Sequence, residues 1–322
     1  MAVNYSNIAE MDRQSRKLID EVIAAGELDN TIIIWYSDNG GPLPRQKRKI
    51  YESGMLVPFM VRFPDKYRAG EFSDELVAFV DIPATILSLA GIKPPEFMHG
   101  QAFLGKYKGT SREYVYGARD RMDECIDKQG CVRDHRFRYV RNYYPENQGY
   151  MNVKYRLSMP MMRQMLDMHE KGKLNKVQSH WFQSPRSIEE FYDVTNDPHE
   201  INNLIDNPDY TEDIKRLRKV YEQWNHEYNT LWDIGENMNV TRINPKGIQP
   251  KTESPVVNNR NGLINIQCPT EGASIAYQLC EDDEQHWRLY DKPFKAKVGT
   301  VIKAVSIRIG YKQSEIITYN VK

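Results

Sequence analysis

The chain has 322 residues, with 44 basic and 44 acidic side chains, so its formal net charge is zero and 27% of it is charged. That balance argues against a dedicated nucleic-acid binder, which would carry a basic stripe. No apolar run approaches the roughly 18 residues of a membrane-spanning helix, residues 1–10 show no signal-peptide pattern, and the length allows about two or three domains.

Residues 5–25 predict an amphipathic helix, with Ile8, Met11, Leu18, Val22 and Ile23 on one stripe, charges between them, and Gly26 as C-cap. Its apolar side chains, Met11 included, are expected to be core contacts. Residues 31–36 are β-branched and aromatic without a charge, which predicts a strand buried on both faces inside a parallel sheet. The run ends in Ser37-Asp38-Asn39-Gly40-Gly41. In an open α/β sheet the ligand crevice lies beyond the carboxyl ends of strands, and Asp38 and Asn39 offer adjacent hard oxygen donors suited to Ca²⁺ or Mg²⁺. Asp-Asn-Gly is also ordinary turn chemistry. Arg45, Lys47, Arg48 and Lys49 follow closely. Cations beside a divalent metal make sense if a tetrahedral oxyanion, a sulfate or phosphate ester, binds there too; otherwise they form a solvated basic loop.

Residues 56–63 predict a second buried strand, 74–79 a short strand, and 81–90 a helix with Asp81 as N-cap, Pro83 in its first turn and Gly91 at its end. Residues 114–117 read as a strand, and 119–124 as a dense charged loop carrying Arg119 and Arg121. Residues 131–141 read as a hairpin turning near Asp134. A methionine-rich helix starts at Pro160, its methionines read as core filler. His169, His180 and His199 fall on separate elements and form no ligand set. Residues 189–194 predict a strand, and 211–228 a charged amphipathic helix covering a small sheet. Residues 235–255, rich in Asn, Pro and Gly, read as a linker. Beyond it, short strands recur at sandwich spacing, with Trp287 and Tyr290 assigned to the sandwich core in preference to stacking on a sugar. The four cysteines form two sequence-local pairs, Cys125 with Cys131 and Cys268 with Cys280, compatible with local disulfides or free thiols.

Several motifs in this order carry a resemblance. They are Ser37-Asp38-Asn39-Gly40, Lys47 leading into Ile50-Tyr51-Glu52-Ser53-Gly54, Val57-Pro58-Phe59, Ser73-Asp74-Glu75-Leu76-Val77, Val80-Asp81-Ile82-Pro83-Ala84-Thr85-Ile86-Leu87, Gly117-Ala118-Arg119-Asp120-Arg121, and Asp197-Pro198-His199-Glu200-Ile201-Asn202-Asn203-Leu204. Together they resemble the second half of a type I sulfatase of the alkaline phosphatase superfamily, whose K-x-x-x-Y-E-G-G motif here has Ser53 for its first glycine. The resemblance covers roughly the first three quarters of the chain. Residues 277–315 resemble a chitobiase-type C-terminal β-sandwich module.

What the resemblance implies is an α/β fold: the C-terminal part of a sulfatase domain over residues 1–105, a small antiparallel sheet-and-helix subdomain over 106–234, a linker over 235–255 and the appended β-sandwich over 256–322. Asp38 and Asn39 become metal ligands, for Ca²⁺ with Mg²⁺ as the alternative. Lys47 becomes a catalytic group on the sulfate, and Arg119 and Arg121 contacts to a sulfated sugar; for these two arginines a surface salt-bridge network with Asp120, Asp123 and Glu124 stands as an equal reading. The family's nucleophile is a formylglycine made from a C/S-x-P-x-R motif, and no such motif occurs in these residues. The expectation is therefore a sulfuric ester hydrolase acting on sulfated glycans, of N-sulfoglucosamine or heparan type, present as a fragment inactive by itself and missing an N-terminal half. The family is usually exported. The competing expectation is a polysaccharide-binding sulfatase remnant without turnover; a phosphotransferase of the alkaline-phosphatase type stands third.

Overall fold

A computed structural model describes residues 2–228, 238, 240–241, 244–279 and 286–322. Cys280 and residues 235–237, 239 and 242–243 of the expected linker lie outside the described residues. The chain divides into two compact units, Met1–Tyr228 and Asn229–Lys322.

The first unit opens with α1 (Ala2–Ala24), which ends at Gly26 in the left-handed conformation, φ +74°. No residue of this helix is buried, and Ile8, Met11, Leu18 and Ile23 are exposed. The expected core role for Met11 is thus not met. After a short 3₁₀ turn comes β1 (Ile33–Tyr36), then α2 (Glu52–Met55) and β2 (Phe59–Arg62). The two strands pair antiparallel in register Ile33↔Arg62 to Tyr36↔Phe59 and form a two-stranded sheet. This corrects the expectation of a buried parallel strand: β1 is half-buried and Tyr36 is exposed, because a sheet of two strands gives β1 a neighbour on one edge only. Residues 74–79 form no strand; Leu76 makes an isolated bridge to Arg112.

Helix α3 (Asp81–Leu89) buries a polar row, Asp81, Thr85 and Ser88. Asp81 is not an N-cap. Its carboxylate accepts the amides of Ala78 and Gln101, each at 2.9 Å, and pairs with the Arg112 guanidinium. Thr85 Oγ1 accepts the Phe103 amide and Ser88 Oγ the Tyr107 amide. The helical spacing of these three residues places them on one face, where they satisfy the backbone of the connection that follows.

The better-buried part of this unit is a four-stranded antiparallel sheet in order β3 (Val115–Met122), β4 (Cys125–Arg133), β5 (Phe137–Asn142), β6 (Glu189–Asp193). Residues 119–122, expected in a loop, continue β3, and the turn falls at Asp123, φ +53°. The β4–β5 turn sits at Asp134, whose Oδ1 accepts the amides of Arg136 and Phe137, an Asx turn. Between β5 and β6 lie α4 (Pro160–Glu170) and α5 (Lys176–His180), the second started by a capping box of Asn175 and Gln178. Met162 is fully buried beside Tyr150, Trp181 and Phe182. Helix α6 (Thr211–Tyr228) lays Ile214, Leu217 and Tyr221 against Val132, Phe137, Tyr139 and Phe191 of the sheet, as the amphipathic pattern predicts.

The second unit holds two antiparallel sheets around one core. One orders β11 (Phe294–Lys295), β8 (Leu263–Gln267), β7 (Val256–Arg260); the other orders β10 (Arg288–Leu289), β9 (Ser274–Leu279), β12 (Val301–Ile307), β13 (Ile317–Asn320). Ile264 and Ile266 of the first sheet meet Ile275, Ile302 and Ala304 of the second. Tyr290 joins that core and its hydroxyl donates to Asn265. Trp287 does not join it: the side chain is exposed, just ahead of the short edge strand β10. Cys125, Cys131 and Cys268 carry free thiols.

Candidate functional site

The Asp38–Asn39 tip follows β1 by one residue, and two glycines bring it against the loop that carries Lys47. The Gly40 amide donates to the Gly54 carbonyl at 2.9 Å, and the Lys47 amide to the Gly41 carbonyl at 3.1 Å. A Cβ on Gly40 would stand 2.0 Å from the Ser53 carbonyl oxygen, and one on Gly54 would stand 2.1 Å from that of Lys49. A side chain at Gly40 would force the two segments apart, and one at Gly54 would collide with the Lys49 and Gln46 carbonyls inside the Lys47 loop. The two motifs are therefore halves of one backbone junction, which explains glycine in both. Ser37 Oγ donates to the Asn39 carbonyl at 2.8 Å, and Ser53 Oγ to the Arg45 carbonyl at 2.7 Å. Ser53 thus adds a tie inside the loop. Asp38 is exposed; Asn39 and Lys47 are half-buried.

A buried ionic network holds the loop from beneath. Arg138 on β5 pairs with Glu52 and, through Nε at 2.9 Å, with Glu200; its Nη1 donates to the Ile50 carbonyl at 2.5 Å. Arg133 also reaches Glu52 at 2.8 Å. The Glu52 amide donates to Glu200 Oε2 at 2.7 Å, and Arg45 donates to the carbonyls of His199 and Glu200. Burial pushes the Glu200 carboxyl up to about 7, outweighing the nearby Arg138. The Asp197-to-Leu204 motif supplies this contact. Asp197 accepts the amides of Ile201 and Asn202, Asn203 accepts those of Phe191 and Ile205, and the Leu204 amide donates to Phe191. The turn is braced so that Glu200, at φ +52°, points under α2.

The two arginines of the β3 segment part company. Arg119 is buried, paired with Asp127 and donating to the Arg48 carbonyl. Its guanidinium holds the basic loop from inside, so a direct sugar contact gives way to a positioning role. The salt-bridge reading also changes partner, from its charged neighbours to Asp127 on β4. Arg121 is exposed on the hairpin and donates to the Asp123 carbonyl at 3.3 Å. Arg48 pairs with Asp123 at 2.6 Å, linking the Lys47 loop to that same hairpin.

Sequence reasoning passed over Glu52, Arg138 and Glu200 as functional support. The signal was present in the Tyr51-Glu52 and Asp197-Pro198-His199-Glu200 motifs, but Arg138 has no local pattern and is found only through its partners. As a metal site the arrangement fits in part. Asp38 and Asn39 are hard oxygen donors, yet among the described residues no three His, Cys, Asp or Glu side chains gather into a metal-binding set. They offer two of the roughly six to eight oxygens Ca²⁺ takes.

Residues 1–92 match the Sulfatase family model. The chain is 41% identical over 323 residues to an ulvan-active sulfatase of Formosa agariphila, covering 97% of this chain and 53% of that protein. It is 25% identical to the N-sulphoglucosamine sulphohydrolase of Homo sapiens, covering 72% of this chain and 49% of the relative. The chain spans about half the length of the curated relatives it matches. A solved 2-O GAG sulfatase shares the fold with TM-score 0.52 at 18% identity, over 70% of this chain and 42% of that one.

Proposed function

We propose that this chain forms the C-terminal part of a sulfuric ester hydrolase acting on sulfated glycans. The observation that carries the reading is the 41% identity across 97% of the chain, together with the Gly40–Gly54 junction that draws the Asp38–Asn39 tip and the Lys47 loop into one place. Asp38 and Asn39 would hold a divalent metal, Ca²⁺ ahead of Mg²⁺, which when bound supplies Lewis-acid polarisation of the sulfate oxygens. The Lys47 ammonium binds one of those oxygens and offsets charge that grows as the S–O bond breaks. Arg121 on the hairpin reaches for the anionic sugar. Arg119 and the Glu52–Arg138–Glu200 network fix the loop from below. The ulvan-active relative favours ulvan as the substrate over the N-sulfoglucosamine or heparan type read from residues 119–124.

Residues 256–322 we assign to a chitobiase-type β-sandwich module, a reading supported by two antiparallel sheets around one core. The apolar side chains left open on α1 and β2, among them Leu18, Ile23 and Met60, suit cover by the sulfatase segments that precede these motifs in the family. Those segments would bring the C/S-x-P-x-R motif and the remaining metal ligands, and the family tendency is export from the cytoplasm.

The second reading is a polysaccharide-binding protein without turnover. One experiment separates the two. The purified chain is assayed alone on a chromogenic aryl sulfate, then after coexpression with the N-terminal half of a sulfatase relative. The expected result is no turnover alone and metal-dependent turnover after coexpression, lost in Asp38→Ala and Lys47→Ala. Turnover by the chain alone overturns the partial-domain reading. Retained affinity for ulvan with no turnover after coexpression favours the binding protein.

A further inference from the structure

The first unit contains a cavity of about 260 Å³ whose walls include Arg45, Tyr51, Trp181, Arg186, Glu190 and Tyr192; Lys47 is not among them. We propose that this cavity binds a small inorganic oxyanion of the sulfate or phosphate class, behind the Lys47 loop and apart from the Lys47 side chain.

Two observations on different atoms point there. The first is a pair of donors without acceptors. Trp181 Nε1 and Arg186 Nε are buried, and neither has a hydrogen-bond partner. Trp181 is only 4% exposed and the Arg186 side chain 8%. Both residues line the cavity, and a buried N–H left unmade is unfavourable, so an acceptor belongs beside them.

The second is an excess of buried positive charge. Asp127 is the one carboxylate shared by Arg119 and Arg186. Lys49, also buried, feels Arg119, Arg156 and Arg186 as like charges, and its ammonium donates to the carbonyl of Gly149 in the cavity wall. Burial, then these neighbours, hold its pKa well below the usual lysine range. Arg156 lies over the Trp181 ring at 5.2 Å and donates only to carbonyls, those of Met151 and Lys47. On the other wall Glu190 is saturated by Tyr51, Tyr192 and Asn142. Arg45 stacks on Tyr51 and donates to two carbonyls. In the lining itself Arg45 and Arg186 stand against Glu190 and the exposed Asp206, with His180 half-buried beside them. Lys49, Arg156 and Arg119 do not line the cavity; they add positive charge behind it, at Gly149, over Trp181 and across Asp127 from Arg186. An oxyanion accepting from Trp181 Nε1 and Arg186 Nε would satisfy both orphan donors and offset the surplus charge.

The test uses the full 322-residue chain. Thermal melts are titrated with sodium sulfate against sodium chloride at matched ionic strength. The expected result is a saturable rise in melting temperature with sulfate alone. Trp181→Phe, which keeps the ring and removes the N–H, should weaken the apparent sulfate affinity about tenfold or more, and Arg186→Gln by at least as much. Lys215→Ala, on the exposed face of α6, should leave that affinity unchanged. Should Arg186→Gln fail to fold, a crystal grown with selenate reads the same point through an anomalous peak beside Trp181 and Arg186. No sulfate-specific stabilisation, an unchanged affinity in Trp181→Phe, or water alone in the cavity overturns the proposal.

Discussion

The first unit contains two unequal regions. Residues 2–105 carry the Asp38–Asn39 tip and Lys47, yet their buried apolar side chains are only Ile50, Tyr51, Ala84 and Ala102. Residues 106–228 carry no proposed metal ligand, yet they hold a continuous core of sheet and helix. The two regions meet through Ile50 and Tyr51, which pack with Cys131, Val140, Tyr192 and Val194, and through the Glu52–Arg138–Glu200 network. The chemistry-bearing loop therefore takes its order from the neighbouring sheet rather than from its own strands. Loops positioned by a rigid scaffold are the usual home of function; here the scaffold lies later in the chain than the loop.

The comparison breaks most visibly at the core. Phe191→Ala, at a fully buried position, is expected to destabilise the chain by about 3–5 kcal/mol in chemical denaturation. Ile34→Ala on the half-buried β1 should cost distinctly less. Equal losses would show that the two regions share stability evenly. Truncating Arg138 to Ala strands Glu200 beneath the Lys47 loop and leaves Glu52 with Arg133 alone. A loss of about 3–5 kcal/mol is expected, with faster amide exchange across residues 45–55 than across β4. Exchange that rises uniformly would mean the network is not specific to the loop.

Gly40→Ala tests the junction itself. The added methyl must displace the Ser53 carbonyl, so about 1–3 kcal/mol is expected, with wild-type stability refuting the close approach. Glu200 offers a pH test. Its folded pKa of about 7 lies above the ordinary carboxyl value of 4.5, so the folded state binds the extra proton between those values. Its contribution is fully present below pH 4.5 and is lost as pH rises through 7. Glu200→Gln should flatten that part of the stability profile; an unchanged slope would place the titration elsewhere. The smallest effect belongs to Arg121→Ala. On the exposed hairpin it should change stability by less than about 0.5 kcal/mol, whereas Arg119→Ala, which leaves Asp127 with Arg186 alone, should cost several-fold more.

Much of this fold was legible because its signals are local. The apolar periodicity of α6, the Asx turn at Asp134, Gly26 at the end of α1 and Pro160 at the start of α4 are each decided within a few residues of chain, and each appears where the pattern places it. The ordered motifs likewise located the candidate site. What they did not convey was burial. Residues 31–36 have the composition of a doubly covered strand, but cover depends on neighbours, and β1 has a single strand partner. Arg119 and Arg121 look alike in sequence, two residues apart with acids around them. Yet Arg119 points inward to Asp127, and Arg121 is exposed beyond the register shift between them.

The sequence by itself determined the element types and the chemical character of the tip and loop, because helix period, turn chemistry and glycine need no distant partner. Only the tertiary structure decided which charges are buried, which arginine holds the loop, and that Gly40 presses against the Ser53–Gly54 backbone. Those outcomes are set by contacts that reach beyond one turn or one helical repeat, and no local pattern records them.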